Sequence, residues 1–158
     1  MPLELREKLL AGDIRFREYD SILDIPAGPK WLREQPIAAI VFEHLMALEA
    51  TCEKLYAFTI MPNHVHLLVS LRSEQRLATV MQKLKGATAR ACNLALARVG
   101  AFWQHESYDR VMRRGEIPPT LRYIIMNPVK AGLVDRWDAW PYTYWNPEID
   151  LASLQIPP

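Results

Sequence analysis

The stretch Tyr56-Ala-Phe-Thr-Ile-Met-Pro-Asn-His-Val-His-Leu-Leu-Val69 decides how this chain is read. Leu55 to Ile60 is an apolar, aromatic and β-branched run that predicts one strand. Pro62 and Asn63 interrupt it, and His64 to Leu71 predicts a second strand or its continuation. Residues two apart on a strand project to the same face. His64 and His66 therefore stand side by side, while Val65 and Leu67 turn to the opposite face. Neutral imidazole is the commonest protein metal ligand, so the pair supplies half of a small coordination shell. A His-x-His pair on an arbitrary strand is more often structural or merely solvated. Only a third ligand and a reactive group give it a chemical meaning.

Downstream of this stretch, Ser73, Gln75 and Arg76 open a predicted long helix running to about Val99, where Gly100 stops it. Leu77, Val80, Met81, Leu84, Ala87, Ala91 and Leu94 are expected along one side of it. Phe102 to Arg113 predicts a further strand, and Thr120 to Asn127 a helix with Pro119 near its first turn. Pro128 argues against continuation, because it disfavours the helical conformation at Asn127 and has no backbone N–H. Upstream, Ile37, Ile40, Val41, Leu45 and Leu48 have the spacing of an amphipathic helix over Ile37 to Ala50. Residues 13–36, broken by Pro26, Gly28, Pro29 and Pro36, read as loop and short turns. The segment before them, to about Gly12, reads as a short helix. The element order indicates an α+β fold, helices layered on an antiparallel sheet.

The 158 residues are enough for a single domain with a real core. Residues 1–36 form its irregular or helical lead-in, 37–135 its core and 136–158 an aromatic and proline-rich tail, expected to pack as irregular structure. Half of the residues are hydrophobic and 23% are charged, an ordinary globular composition. No apolar run approaches the ~20 residues of a membrane span, and MPLELREKLL is not a signal peptide. Cys52 and Cys92 lack CxxC spacing and read as buried thiols of a reducing cytoplasm. The net charge is only +1, yet its distribution is uneven. From Lys83 to Arg136 there are ten Lys and Arg against four Asp and Glu, a local basic surface suited to phosphate contacts. Lys83, Lys85, Arg90, Arg113 and Arg114 are the candidates for such contacts, although any single one reads equally as part of a solvated helix face.

The third ligand and the reactive group are found in Thr120-Leu-Arg-Tyr-Ile-Ile-Met-Asn-Pro128. Tyr123 and Asn127 are four apart and share a helix face. Two imidazoles and an amide oxygen, with open positions, suit Mg²⁺ or Mn²⁺. Such an ion would grip a phosphodiester oxygen and neutralise developing charge. Tyr123 is then a nucleophile one turn away, activated from a free phenol pKa near 10. From spacing alone, a half-buried helix tyrosine is the commoner meaning of such a residue. His44 reads as a helix-surface group and His105 as a solvated strand-edge group that could touch DNA or metal. Asn63 reads as a turn former. Trp103, Trp137, Trp140 and Trp145 could stack on unpaired bases, but core packing is commoner.

MPNHVHLLV, the long basic helix, FWQHESYDRVMR, LRYIIMNPVKAGLV and WPYTYW together resemble the HUH-type single-tyrosine transposases, and more narrowly the REP-associated tyrosine transposases. The likeness runs from about Arg17 to Trp145. It implies a metal-dependent endonuclease and strand transferase acting on single-stranded DNA with hairpin structure, through a covalent 5′-phosphotyrosine and a free 3′ hydroxyl. By position, His64 and His66 are the HUH histidines, Tyr123 the nucleophile and Asn127 the third, polar ligand. The implied fold is a ferredoxin-like antiparallel sheet, with helices packed on one face and the histidine strand central.

Two departures accompany the resemblance. Related sequences usually begin with a further β-strand ahead of the segment resembling MPLELREKLL, and this chain starts after it. That strand normally neighbours the histidine strand, so its loss would leave unpaired backbone in the sheet unless another segment or chain fills the gap. An alternative function follows, a hairpin-DNA-binding protein that is catalytically silent. A third reading, another phosphoesterase or a structural metal site, would make no use of Tyr123. The second departure is a competing tyrosine, Tyr108, which lies in a strand without an Asn or Gln one turn on and reads as structural or DNA-facing. The resemblance leaves both a monomer and a homodimer open.

Overall fold

The computed structural model of the chain describes residues 16–25, 29–113 and 115–157. The opening helix expected to about Gly12, and the candidate Arg114, lie outside these residues. The elements are β1 (Phe16–Asp24), α1 (Gln35–Met46), β2 (Lys54–Ile60), β3 (His64–Arg72), α2 (Leu77–Ala95), β4 (Tyr108–Val111), α3 (Ile117–Lys130) and β5 (Thr143–Trp145). The strands form one sheet in the order β4-β1-β3-β2-β5, every neighbouring pair antiparallel. Without β5, this β-α-β-β-α-β run in the order 4-1-3-2 is the ferredoxin-like arrangement. The histidine strand, β3, is central.

β3 is buried along almost its whole length on both faces, which explains its nearly unbroken apolar sequence. Val65, Leu67, Val69 and Leu71 pack with Ile37, Val41 and Leu45 of α1 and Met81, Leu84 and Cys92 of α2. Each such fully buried aliphatic side chain contributes about 1.5–3 kcal/mol. The opposite face carries Leu68 and, on β2, Ala57, on which Leu121, Ile124 and Ile125 of α3 dock. Helices thus cover both faces, not one: α1 and α2 on the first, α3 on the second. The two-faced burial of β3 requires this third helix.

Residues 16–24 are a strand and not the loop expected there. β1 pairs with β3 at every position from Phe16↔Arg72 to Asp24↔His64. The place beside the histidine strand, expected to be vacant, is therefore filled from within the chain. The strand was hard to read because Glu18, Asp20 and Asp24 break up its apolar pattern, although Leu23 is fully buried. The expected strand over Phe102 to Arg113 shortens to Tyr108–Val111. Phe102 and Trp103 are instead buried in the core of the α1–α2 face, and Gln104 N–H bonds to the Asp24 carbonyl at 2.8 Å.

α2 ends at Ala95, short of Val99, and its buried stripe is Met81, Leu84, Thr88 and Cys92. Thr88 belongs there because its hydroxyl donates to the Leu84 carbonyl and accepts the Trp103 indole N–H at 2.8 Å. Leu94, expected on that side, is exposed. α1 ends at Met46 and continues as one 3₁₀ turn, Ala47–Ala50. The tail is not wholly irregular: β5 joins the β2 edge, and the Thr59 and Thr143 hydroxyls bond at 2.7 Å. No helix among the described residues is long and apolar enough to cross a membrane.

The largest departure is at α3, which passes through Pro128 to Lys130. Proline removes one N–H and costs about 3 kcal/mol in a helix interior, but here it lies in the last turn. The real stop is Gly132, at φ +70°. Its N–H bonds to the Val129 carbonyl, and the Leu133 N–H to the Pro128 carbonyl, both at 2.9 Å. These are the two bonds of a Schellman cap, which favours glycine at that position.

Candidate active site

His64 and His66 leave β3 on the face that α3 covers. Asp24 and Ile22 of β1 lie opposite them, and Thr59 of β2 lies opposite His66. The hairpin tip between β2 and β3 sets the pair: Met61 N–H closes it on the His64 carbonyl at 2.8 Å. Asn63, expected only to form the turn, holds His64 as well. Its side-chain oxygen accepts the His64 Nδ1–H at 2.8 Å. That bond fixes the proton on Nδ1 and leaves Nε2 with a free lone pair.

The two Nε2 atoms converge to 3.2 Å. His66 is buried, and burial lowers its pKa to about 4, with the His64 charge pushing the same way. Burial also lowers His64, partly offset by the Asp24 carboxylate. Both rings are therefore neutral at pH 7, the form that binds a cation.

From the other side, α3 brings Tyr123 against His66. The ring centroids are 5.3 Å apart and the planes are at 89°. Tyr123 is 45% exposed, so it is reachable from solvent while resting on the histidine. Asn127, one turn further on the same stripe, is buried. The structure thus gathers His64, His66 and Tyr123 at one place, with Asn127 on the helix face that meets them. Among the described residues no group of three or more His, Cys, Asp and Glu could hold a metal ion. The available donors are the two converging neutral Nε2 atoms and the Asn127 amide, a set of hard and borderline ligands that fits a divalent cation.

The competing Tyr108 is exposed on β4 and sits opposite Ile22, which is itself opposite His66. It shares the histidine face but lies two strands away, about 10 Å at the usual strand spacing. Lys85 is committed elsewhere: its Nζ donates to the Gln104 and His105 carbonyls and braces that loop. Lys83 and Arg90 are exposed on α2, across the sheet from the histidines. Arg113 is exposed beyond β4, where its backbone N–H bonds to Glu116. Trp103 is a core residue, Trp140 donates to the Ile60 carbonyl at 3.0 Å, and Trp137 packs on Trp145. His44 bonds to the Ile40 carbonyl on its own helix. Cys52 and Cys92 are buried, and burial raises both thiols to about 11.

Residues 36–124 match the sequence profile of the IS200-like transposases. The chain belongs to that family. This IS200-like transposase is 27% identical over 122 residues to a Haemophilus influenzae protein that bears the name REP-associated tyrosine transposase, spanning 68% of this chain and 69% of that one. Its fold is similar to that of a solved REP-associated tyrosine transposase bound to a REP hairpin. The TM-score is 0.70 at 17% identity, covering 90% of this chain and 82% of the other. A Deinococcus radiodurans R1 crystal structure described as a transposase aligns with a TM-score of 0.50 at 20% identity, over 68% and 87% of the two chains.

Proposed function

We propose that this IS200-like transposase is a metal-dependent endonuclease and strand transferase acting on single-stranded, hairpin-bearing DNA, with Tyr123 as its nucleophile. The observation that carries the reading is the contact of Tyr123 with His66, on the strand face where two neutral Nε2 atoms converge at 3.2 Å. The hairpin as substrate is supported by the fold shared with a transposase solved on a REP hairpin.

Bound Mg²⁺ or Mn²⁺ would neutralise charge on a non-bridging phosphate oxygen and polarise the phosphorus. His64 and His66 would hold it through Nε2, and Asn127 through its amide oxygen. Asn63 keeps His64 in the tautomer that can do so. Tyr123 gives its phenol proton to solvent and its oxygen forms a bond to phosphorus. The P–O3′ bond breaks, and its electron pair leaves on O3′, which takes up a proton. The 5′ phosphate stays esterified to Tyr123, so the energy of the cut bond is kept for the reverse attack by a 3′ hydroxyl. Lys83, Arg90 and Arg113 are proposed to hold phosphates away from the scissile bond.

The alternative of a silent hairpin binder drew its support from a missing strand beside β3, and the pairing of β1 along all of β3 removes that support. The proposal is tested by incubating an end-labelled hairpin oligonucleotide with the protein and Mn²⁺. Cleavage that disappears in His64→Ala and His66→Ala, with hairpin binding retained, supports it. Equal loss of binding and cleavage would assign the histidines a structural role instead.

A further inference from the structure

The passage of α3 through Pro128 has a chemical result. Tyr123, Asn127 and Lys130 are at i, i+4 and i+7, one stripe of a single helix. Had the helix stopped at Asn127, Lys130 would have no fixed relation to the tyrosine. As it stands, the Lys130 ammonium lies over the Tyr123 ring, 5.3 Å from its centroid. The Schellman cap at Gly132 fixes the turn that carries Lys130. Among the described residues Lys130 forms no ion pair, whereas Arg110 and Arg136 are each engaged by carboxylates.

We infer that Lys130 is a further catalytic residue, the cation that contacts the phosphate as it passes onto Tyr123. The inference rests on the nuclease reading above. A phosphorus bonded to the phenolic oxygen lies just beyond the ring over which the ammonium stands, within reach of a lysine side chain. As the Tyr123 O–P bond forms and the P–O3′ bond breaks, negative charge grows on the phosphoryl oxygens. Lys130 offsets that charge without gaining or losing a proton, from the side of the tyrosine and not of the histidines. The same contact then holds the phosphotyrosine diester for the return attack.

The test measures single-turnover formation of the covalent protein–DNA adduct beside hairpin affinity by fluorescence anisotropy. Lys130→Met keeps the alkyl stem and removes the charge. Adduct formation is expected to slow about ten- to a hundredfold, the scale of one charge-assisted contact, with affinity within about twofold. Lys130→Arg should retain much of the rate. Lys130→Cys should be as slow as Lys130→Met and recover when treated with 2-bromoethylamine, which rebuilds an ammonium at that position; the buried Cys52 and Cys92 resist alkylation. A full rate in Lys130→Met, or no recovery on aminoethylation, would overturn the assignment while leaving the nuclease reading intact. Absence of any adduct from the unmodified protein would overturn both.

Discussion

His64 and His66 meet Nε2 to Nε2 at 3.2 Å, with their rings at 84° to each other. This is an uncomfortable arrangement for two free imidazoles, because only one hydrogen can lie between two nitrogens. It is stable when both are neutral and one donates. It is better when a cation takes both lone pairs. A cation held there, as proposed, would lower the cost of burying the pair.

Acid should expose that cost. His66 has a folded pKa of about 4, below its ordinary 6.5. The unfolded chain therefore takes up a proton that the folded protein refuses. The contribution is fully present above pH 6.5 and is lost as pH falls toward 4, by about 3 kcal/mol at most. Urea unfolding in EDTA across that window should show the fall, and His66→Gln should flatten it. An equal pH dependence in the variant would contradict the burial argument.

Asn63→Ala removes the acceptor of the His64 Nδ1–H. His64 should then lose its fixed tautomer and ring orientation, and Mn²⁺ affinity should fall about 10–100-fold. A Mn²⁺ titration followed by electron paramagnetic resonance reads this directly. Unchanged affinity in a folded variant would show that the hairpin tip plays no part in holding the ion.

Gly132→Ala should cost about 1–2 kcal/mol, the price of a left-handed conformation at a residue with a Cβ. No neighbouring atom obstructs the new methyl group, so φ +70° is the only strain. Thermal unfolding measures the loss.

The cations expected to touch phosphate separate into two kinds. Lys85 is tied to the 104–105 carbonyls, so Lys85→Met should lower the unfolding temperature. Arg113 is exposed, and among the described residues its side chain forms no hydrogen bond or ion pair, so Arg113→Ala should leave stability unchanged. Its effect should be a salt dependence of hairpin binding reduced by about 0.7–0.9 in log–log slope, one phosphate contact. An unchanged slope would move the DNA surface elsewhere.

The parts of the fold governed by simple periodicity were legible. The strands about His64 and His66 and the long helix after Arg76 follow from apolar spacing and turn residues. β1 was not, because a strand with Glu18, Asp20 and Asp24 reads as polar until its partner is known. Pro128 misled for a different reason: proline forbids one hydrogen bond, and the last turn of α3 tolerates that loss while Gly132 supplies the actual end. At the site, the side-by-side histidines and the shared face of Tyr123 and Asn127 were readable from residue spacing. That α3 lies across the histidine face was not, since it depends on Leu121, Ile124 and Ile125 finding Ala57 and Leu68. The approach of Lys130 to Tyr123 was hidden behind the misread proline.

The most direct measurement is a denaturing gel of the protein incubated with Mn²⁺ and a 3′-labelled hairpin oligonucleotide, run beside Tyr123→Phe. A labelled band at the mass of protein plus the 3′ fragment is expected, with peptide mapping placing the DNA on Tyr123 and no such band in the variant. Tight binding without an adduct, or an adduct that survives in Tyr123→Phe, would contradict it.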